Sequence, residues 1–215
     1  PSPAPAPEAQ PVDDPDSGLP ALMRFAAIPS IQAGEAALGV ILTDAPEAET
    51  AILAFPVPVS IAIDPYAEEA ARRAAAYRAA GHEIILRAIG LPPRATPSDL
   101  AVIFEAWAQD FPQAVALADV TINGLGANAI LAREVAGTMA REGLGVIAMR
   151  NGLDAFMQAG RAAGLPALSV YRHLNDEDQS QVVIRRLIDR AAFEALRQEG
   201  VLIMGEASVR DTMIE

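Results

Sequence analysis

Cysteine is absent from all 215 residues. Disulfides, thiolate catalysis, iron–sulfur clusters and cysteine-bound zinc are therefore excluded. Histidine is almost absent too. His82 and His173 stand far apart and form no HxxH or HExxH pair, so a multi-histidine metal centre is not expected. Basic residues are scarce, with 16 Lys+Arg against 28 Asp+Glu and a net charge of −12. Such a chain lacks the basic surface that nucleic acids and anionic membranes require. Aromatic residues make up 5% of the chain, while alanine is abundant. This predicts a helix-rich fold with a core of small side chains. No apolar run reaches the roughly 18 residues of a membrane span, and no signal-peptide pattern is present. The first residue is Pro1, not methionine. We therefore expect a fragment of a longer protein whose targeting segment lies upstream.

What is present divides into two parts. Proline recurs at positions 1, 3, 5, 7, 11, 15 and 20. It blocks helix and ladder pairing, so this stretch reads as extended and polyproline-like. Residues 1–30 are expected to be a Pro/Ala-rich linker, either a spacer from an upstream anchor or a terminus with no task. Residues 31–215 are expected to be one domain. There, short apolar runs alternate with amphipathic stretches. The runs are Leu38–Leu42, Val57–Ile63, Glu83–Ile89, Ala116–Ile122, Gly145–Met149, Ala167–Val170 and Val201–Met204. Most are apolar at consecutive positions, as parallel strands covered on both faces must be. Helices are predicted over Ala67–Ala80, Ser98–Asp110, Asn128–Glu142, Leu153–Ala163 and Asp178–Glu199. Four of them stop at a glycine (Gly81, Gly143, Gly164, Gly200). Repeated strand–helix alternation gives a parallel α/β fold, either a closed barrel or an open doubly wound sheet.

In parallel α/β folds, ligands meet the loops after the strand C-termini. The residues there are Thr43 and Asp44, Asp64 and Tyr66, Arg87, Asn123 with Gly124 and Gly126, Arg150, Tyr171 with His173, and Glu206. A polar rim is therefore expected.

The run VPVSIAIDPYAEEAARRAAAYRAAGHEIILRAIG resembles the divergent polysaccharide deacetylase family. Its marks are an apolar strand ending in a Pro-Tyr turn, a helix, and then Gly81-His82-Glu83 before the next strand. The resemblance continues through Ile122–Ala127, Arg141–Asn151 and Glu199–Ala207. It implies a distorted seven-stranded (β/α) barrel with carbohydrate chemistry at the strand C-termini and a metal bound by acids and histidines. The departures fall on those metal ligands. Thr43 stands where the family has the first of two acids, leaving Asp44. Leu91 replaces a glutamate. Gly124 replaces a histidine, Arg150 an acid, and Glu206 a second histidine. A catalytic cation needs an acid and neutral imidazoles to hold it and to lower the pKa of its bound water. No metal and no cofactor are therefore expected, and the chain reads as a non-catalytic member.

Each residue also has a plainer reading. Asp44 and Glu206 are candidate catalytic acids, but Asp44 also suits a loop acid or a cap for a helix around Glu47–Ala54. The Asn123–Gly126 glycines suit an anion loop or a tight turn. Arg87 and Arg150 suit either a clamp on a carboxylate or phosphate, or ion pairs with Asp64 or Glu206. Tyr66 and Tyr171 are candidates to stack on a sugar. His82 reads as structural, and Trp107 and Phe111 as core. The expected partner is a glycan or envelope protein bound at the rim, in the periplasm or envelope. No membrane contact is expected from this segment itself. A metal-free carbohydrate hydrolase using two of Asp44, Asp64 and Glu206 is an alternative, and so is a purely structural interaction module.

Overall fold

The computed structural model describes residues 19–27, 35–120, 122, 124–149, 153–174, 180–198 and 200–207. Seven parallel strands close into a barrel in chain order: β1 (Ala37–Thr43), β2 (Ser60–Ile63), β3 (Glu83–Arg87), β4 (Ala114–Ala118), β5 (Gly145–Ala148), β6 (Ala167–His173) and β7 (Gly200–Glu206). Closure is made by β1 against β7, paired along their whole length from Ala37↔Gly200 to Thr43↔Glu206. The helices are α1 (Ala21–Phe25), α2 (Glu49–Leu53), α3 (Ala70–Ala79), α4 (Pro97–Asp110), α5 (Ala129–Glu142), α6 (Ala155–Ala162) and α7 (Gln181–Gln198). Among the described residues, no helix is long and apolar enough to cross a membrane.

Successive strand residues point to opposite faces. Ile41, Ala62, Ile85, Ala116, Ala118, Ile147, Val170 and Met204 fill the barrel interior. Three of them are alanine, as a narrow seven-strand barrel requires. Their neighbours Leu42, Ile61, Ile63, Ile84, Leu86, Leu117 and Val146 face outward into the layer packed by α3 to α6. Ile203 does the same beneath α7, against Ile184 and Ala191. Both faces are therefore apolar, which is why the strands read as continuous runs.

The floor of the barrel is closed by residues 19–27, which lie within the stretch assigned to the linker. Leu22 and Phe25 of α1 pack against the interior cluster. Leu22 N–H donates to Gly143 O (3.0 Å), Ala27 N–H to Glu83 Oε1 (2.6 Å) and Arg78 Nη1 to Phe25 O (2.9 Å). Residues 1–18 and 28–34 lie outside the described residues. His82 is structural, as its place before β3 predicts. Its Nε2 lies 2.9 Å from Ile52 O and Val59 N–H donates to its Nδ1, so Nε2 carries the proton.

Several boundaries differ from the sequence reading. β2 starts at Ser60 rather than Val57, because Pro56 and Pro58 cannot donate to a ladder. β4 runs from Ala114 to Ala118, not from Ala116 to Ile122. β6 continues through Tyr171 and Arg172 to His173, with a bulge between Val170 and Arg172. The β4 shift matters most, because it moves Asp119 from mid-strand to the barrel rim.

Candidate functional site

The C-terminal mouth of the barrel is built by strand alternation. Thr43 lies two residues beyond interior Ile41, Arg87 two beyond Ile85, and Glu206 two beyond Met204. His173 pairs with Met204 and shares its inward face. Arg87 and His173 are half-buried, and Glu206 is exposed. Arg87 forms no ion pair with Asp64, Glu206 or any other described residue. Asp64, half-buried after β2, accepts the Tyr66 N–H in its own turn (2.9 Å). The exposed Tyr66 ring lies against Gly90, so a Cβ there would stand 2.6 Å from it. Gly90 also has φ +73°, a second reason for glycine. The ring meets Trp107 edge-on at 6.3 Å. Tyr171 instead packs half-buried into the cluster beneath α7. Asn123 and Arg150 lie outside the described residues.

Asp44 is neither a free ligand nor a helix cap. Its carboxylate accepts from Arg73 Nε (3.1 and 3.0 Å), Arg73 Nη2 (2.5 Å) and Tyr77 Oη (2.8 Å). Both charged side chains are 3% exposed. A third arginine donor, Nη1, reaches Glu68 O at 2.7 Å. The hydrogen bond to Asp44 holds the Arg73 guanidinium above its ordinary pKa against the opposing effect of burial. Burial, and then the bond to Asp44, push the Tyr77 phenol up. Tyr77 therefore stays neutral and donates. The acid is fixed in a satisfied, buried ion pair.

Two further acids, missed in the sequence, meet beneath the β4 and β5 loops. Asp119 accepts from the N–H groups of Val120 (2.8 Å), Leu125 (2.6 Å) and Gly126 (2.7 Å), pinning the 3₁₀ turn Leu125–Ala127. Asp154 caps α6 through Oδ1, which accepts Met157 N–H at 2.9 Å. Its Oδ2 is buried and has no hydrogen-bond partner. Burial pushes the Asp119 carboxyl above the ordinary range, the three N–H bonds pull it down, and the nearby Asp154 charge adds to the rise. Gly126 separates the pair. A Cβ there would collide with Asp154 Oδ2 and stand 3.2 Å from Asp119 Oδ2.

The cation implied by the resemblance finds no fitting donor set among the described residues. Both oxygens of Asp44 are engaged by Arg73 and Tyr77. The position matching a histidine ligand is Gly124, where any Cβ would overlap Asp119 Oδ1 and Val120 O. Among the described residues, no group of three His, Cys, Asp or Glu side chains comes together to hold a metal ion.

No curated protein sequence matches the chain. Among solved structures, an uncharacterized protein, ATU2773, from Agrobacterium tumefaciens C58 is similar in fold. Its TM-score is 0.75 at 14% identity, covering 91% of this chain and 86% of that one. A truncated 3-deoxy-D-arabino-heptulosonate 7-phosphate synthase from Thermotoga maritima overlaps more loosely. There the TM-score is 0.46 at 10% identity, over 80% of this chain and 75% of that one, too low to carry an argument. The model of the divergent polysaccharide deacetylase family matches residues 40–214, from the first barrel strand to the end of the chain. The chain belongs to the divergent polysaccharide deacetylase family.

Proposed function

We propose that this domain is a non-catalytic member of its family that binds a glycan or an envelope partner through the mouth of the barrel. The observation that carries the reading is the state of Asp44. Metal-assisted deacetylation needs a carboxylate with a free lone pair facing an open site. Asp44 spends its oxygens on Arg73 and Tyr77 and is shielded from water. Releasing it for a cation would leave the Arg73 charge buried without a partner, which costs several kcal/mol, of the order of 3–5. The neighbouring guanidinium also repels a cation. The mouth still offers groups suited to recognition: the exposed Tyr66 ring, Arg87, His173 and Glu206. With that reading goes the proposal that the domain works in the cell envelope.

The test is acetate release from N-acetylated oligosaccharides with added zinc, run beside calorimetric binding of the same sugars. Binding without turnover above the protein-free rate is expected. Zinc-dependent turnover that is abolished in Asp44→Asn would overturn the reading.

A further inference from the structure

The mouth contains two nitrogen-bearing side chains that the fold leaves unused. Arg87 ends β3 on the inward face. Its side chain is half-buried and makes no hydrogen bond or ion pair with any described residue. A guanidinium partly removed from water and given no counter-ion among the described residues is an unmet electrostatic demand. The buried guanidinium of Arg73 is fully paired, so the fold can supply a carboxylate where one is needed. His173 faces inward from β6, on the other side of the barrel axis. Its Nε2 is buried and has no hydrogen-bond partner among the described residues. In native proteins such atoms are rare and call for an explanation.

Among the described residues, the acids at the ends of β1, β2 and β7 are otherwise engaged or exposed. Asp44 is neutralised by Arg73, and Asp64 is turned to the Tyr66 N–H. Glu206 stands in water, where its repulsion is screened. Tyr66 adds a flat, exposed ring pinned from below by Gly90, the kind of surface on which a pyranose stacks.

We infer that the mouth selects an acidic saccharide, with Arg87 gripping its anionic group through paired N–H donors and His173 supplying a further N–H. Tyr66 carries the sugar ring. The inference rests on the reading of the mouth as a glycan-binding site and narrows its ligand class.

The experiment is calorimetric titration of the whole chain with three probes at one salt concentration. They are an oligogalacturonate, an N-acetylglucosamine oligosaccharide of equal length, and inorganic phosphate. The acidic sugar is expected to bind at least about tenfold more tightly than the neutral one. Arg87→Met should remove that preference, Arg87→Lys should retain part of it because a point charge replaces the fork, and His173→Leu should weaken it. Tyr66→Ala should weaken the acidic sugar and leave phosphate unchanged. Arg87→Met should also unfold at the same temperature as the parent or higher, because it removes an unpaired charge. A structural role for Arg87 would instead lower the midpoint.

Equal affinity for acidic and neutral sugars would overturn the inference and leave the binding reading intact. Phosphate binding lost in Arg87→Met, with no saccharide bound, would keep the anion site and overturn the saccharide. If none of the three probes binds, both are overturned.

Discussion

Arg73→Met isolates the interaction that decides the fate of Asp44. Methionine keeps much of the aliphatic stem, so little cavity forms. What goes is a guanidinium making three contacts of 2.5–3.1 Å with a carboxylate, both side chains 3% exposed. Asp44 then retains a single hydrogen bond, from Tyr77 at 2.8 Å. Breaking one side of a buried pair leaves an uncompensated charge and costs about 3–5 kcal/mol at neutral pH. The assay is urea denaturation followed by circular dichroism, comparing midpoints at unchanged slope. The double variant Asp44→Leu/Arg73→Met should recover most of the loss, because an apolar pair of similar volume replaces both charges. A loss below about 1 kcal/mol would refute the claim that Asp44 is locked by this pair.

Other perturbations probe the rim. Asp154→Asn should stabilise the protein by about 1–3 kcal/mol at neutral pH in the same urea assay. The amide oxygen keeps the α6 cap, the buried Oδ2 is replaced by a donor, and the repulsion with Asp119 ends. The raised pKa of Asp119 means that its contribution to stability is complete below the ordinary carboxylate range and is lost as pH rises through the raised value. Thermal melts from about pH 4 to 8 should therefore show a downward contribution in the parent that is flattened in Asp154→Asn. Gly124→His, which restores the family's ligand type, should destabilise the fold by more than about 1 kcal/mol and add no zinc affinity by calorimetry, because its Cβ overlaps Asp119 Oδ1 and Val120 O.

Strand and helix placement was legible because it rests on local signals. Apolar runs with both faces covered gave all seven strands, and Gly143, with φ +69°, marks the end of α5 at the predicted place. Closure into the seven-stranded barrel was legible through the family resemblance and not through the strand pattern, since β1–β7 pairing joins the ends of the domain and leaves no local trace. The buried ion pair was half legible. Arg72 and Arg73 are neighbours in sequence, yet their side chains are 51% and 3% exposed. Ala70, Arg73, Ala74 and Tyr77 follow the i, i+3, i+4, i+7 stripe of a buried helix face. That spacing singles out Arg73 as the inward arginine and implies a buried acid to meet it. Asp119 was hidden by the misplaced end of β4. Alternation of small apolar residues through Ala114–Val120 gives no marker for where the ladder stops, and the hydrogen bonds that define Asp119 come from a turn six and seven residues later. Asp154 stands where an N-cap aspartate belongs, a local signal the sequence reading passed over. Its second oxygen and its closeness to Asp119 are products of tertiary packing.

Calorimetric titration of zinc, manganese and nickel into the purified chain, with an unfolding curve at each end point, asks whether the pairing of Asp44 with Arg73 and Tyr77 closes the family's metal site. No stoichiometric binding and no rise in the midpoint are expected. One tightly bound ion per chain, with an upward shift that disappears in Asp44→Asn, would contradict that closure.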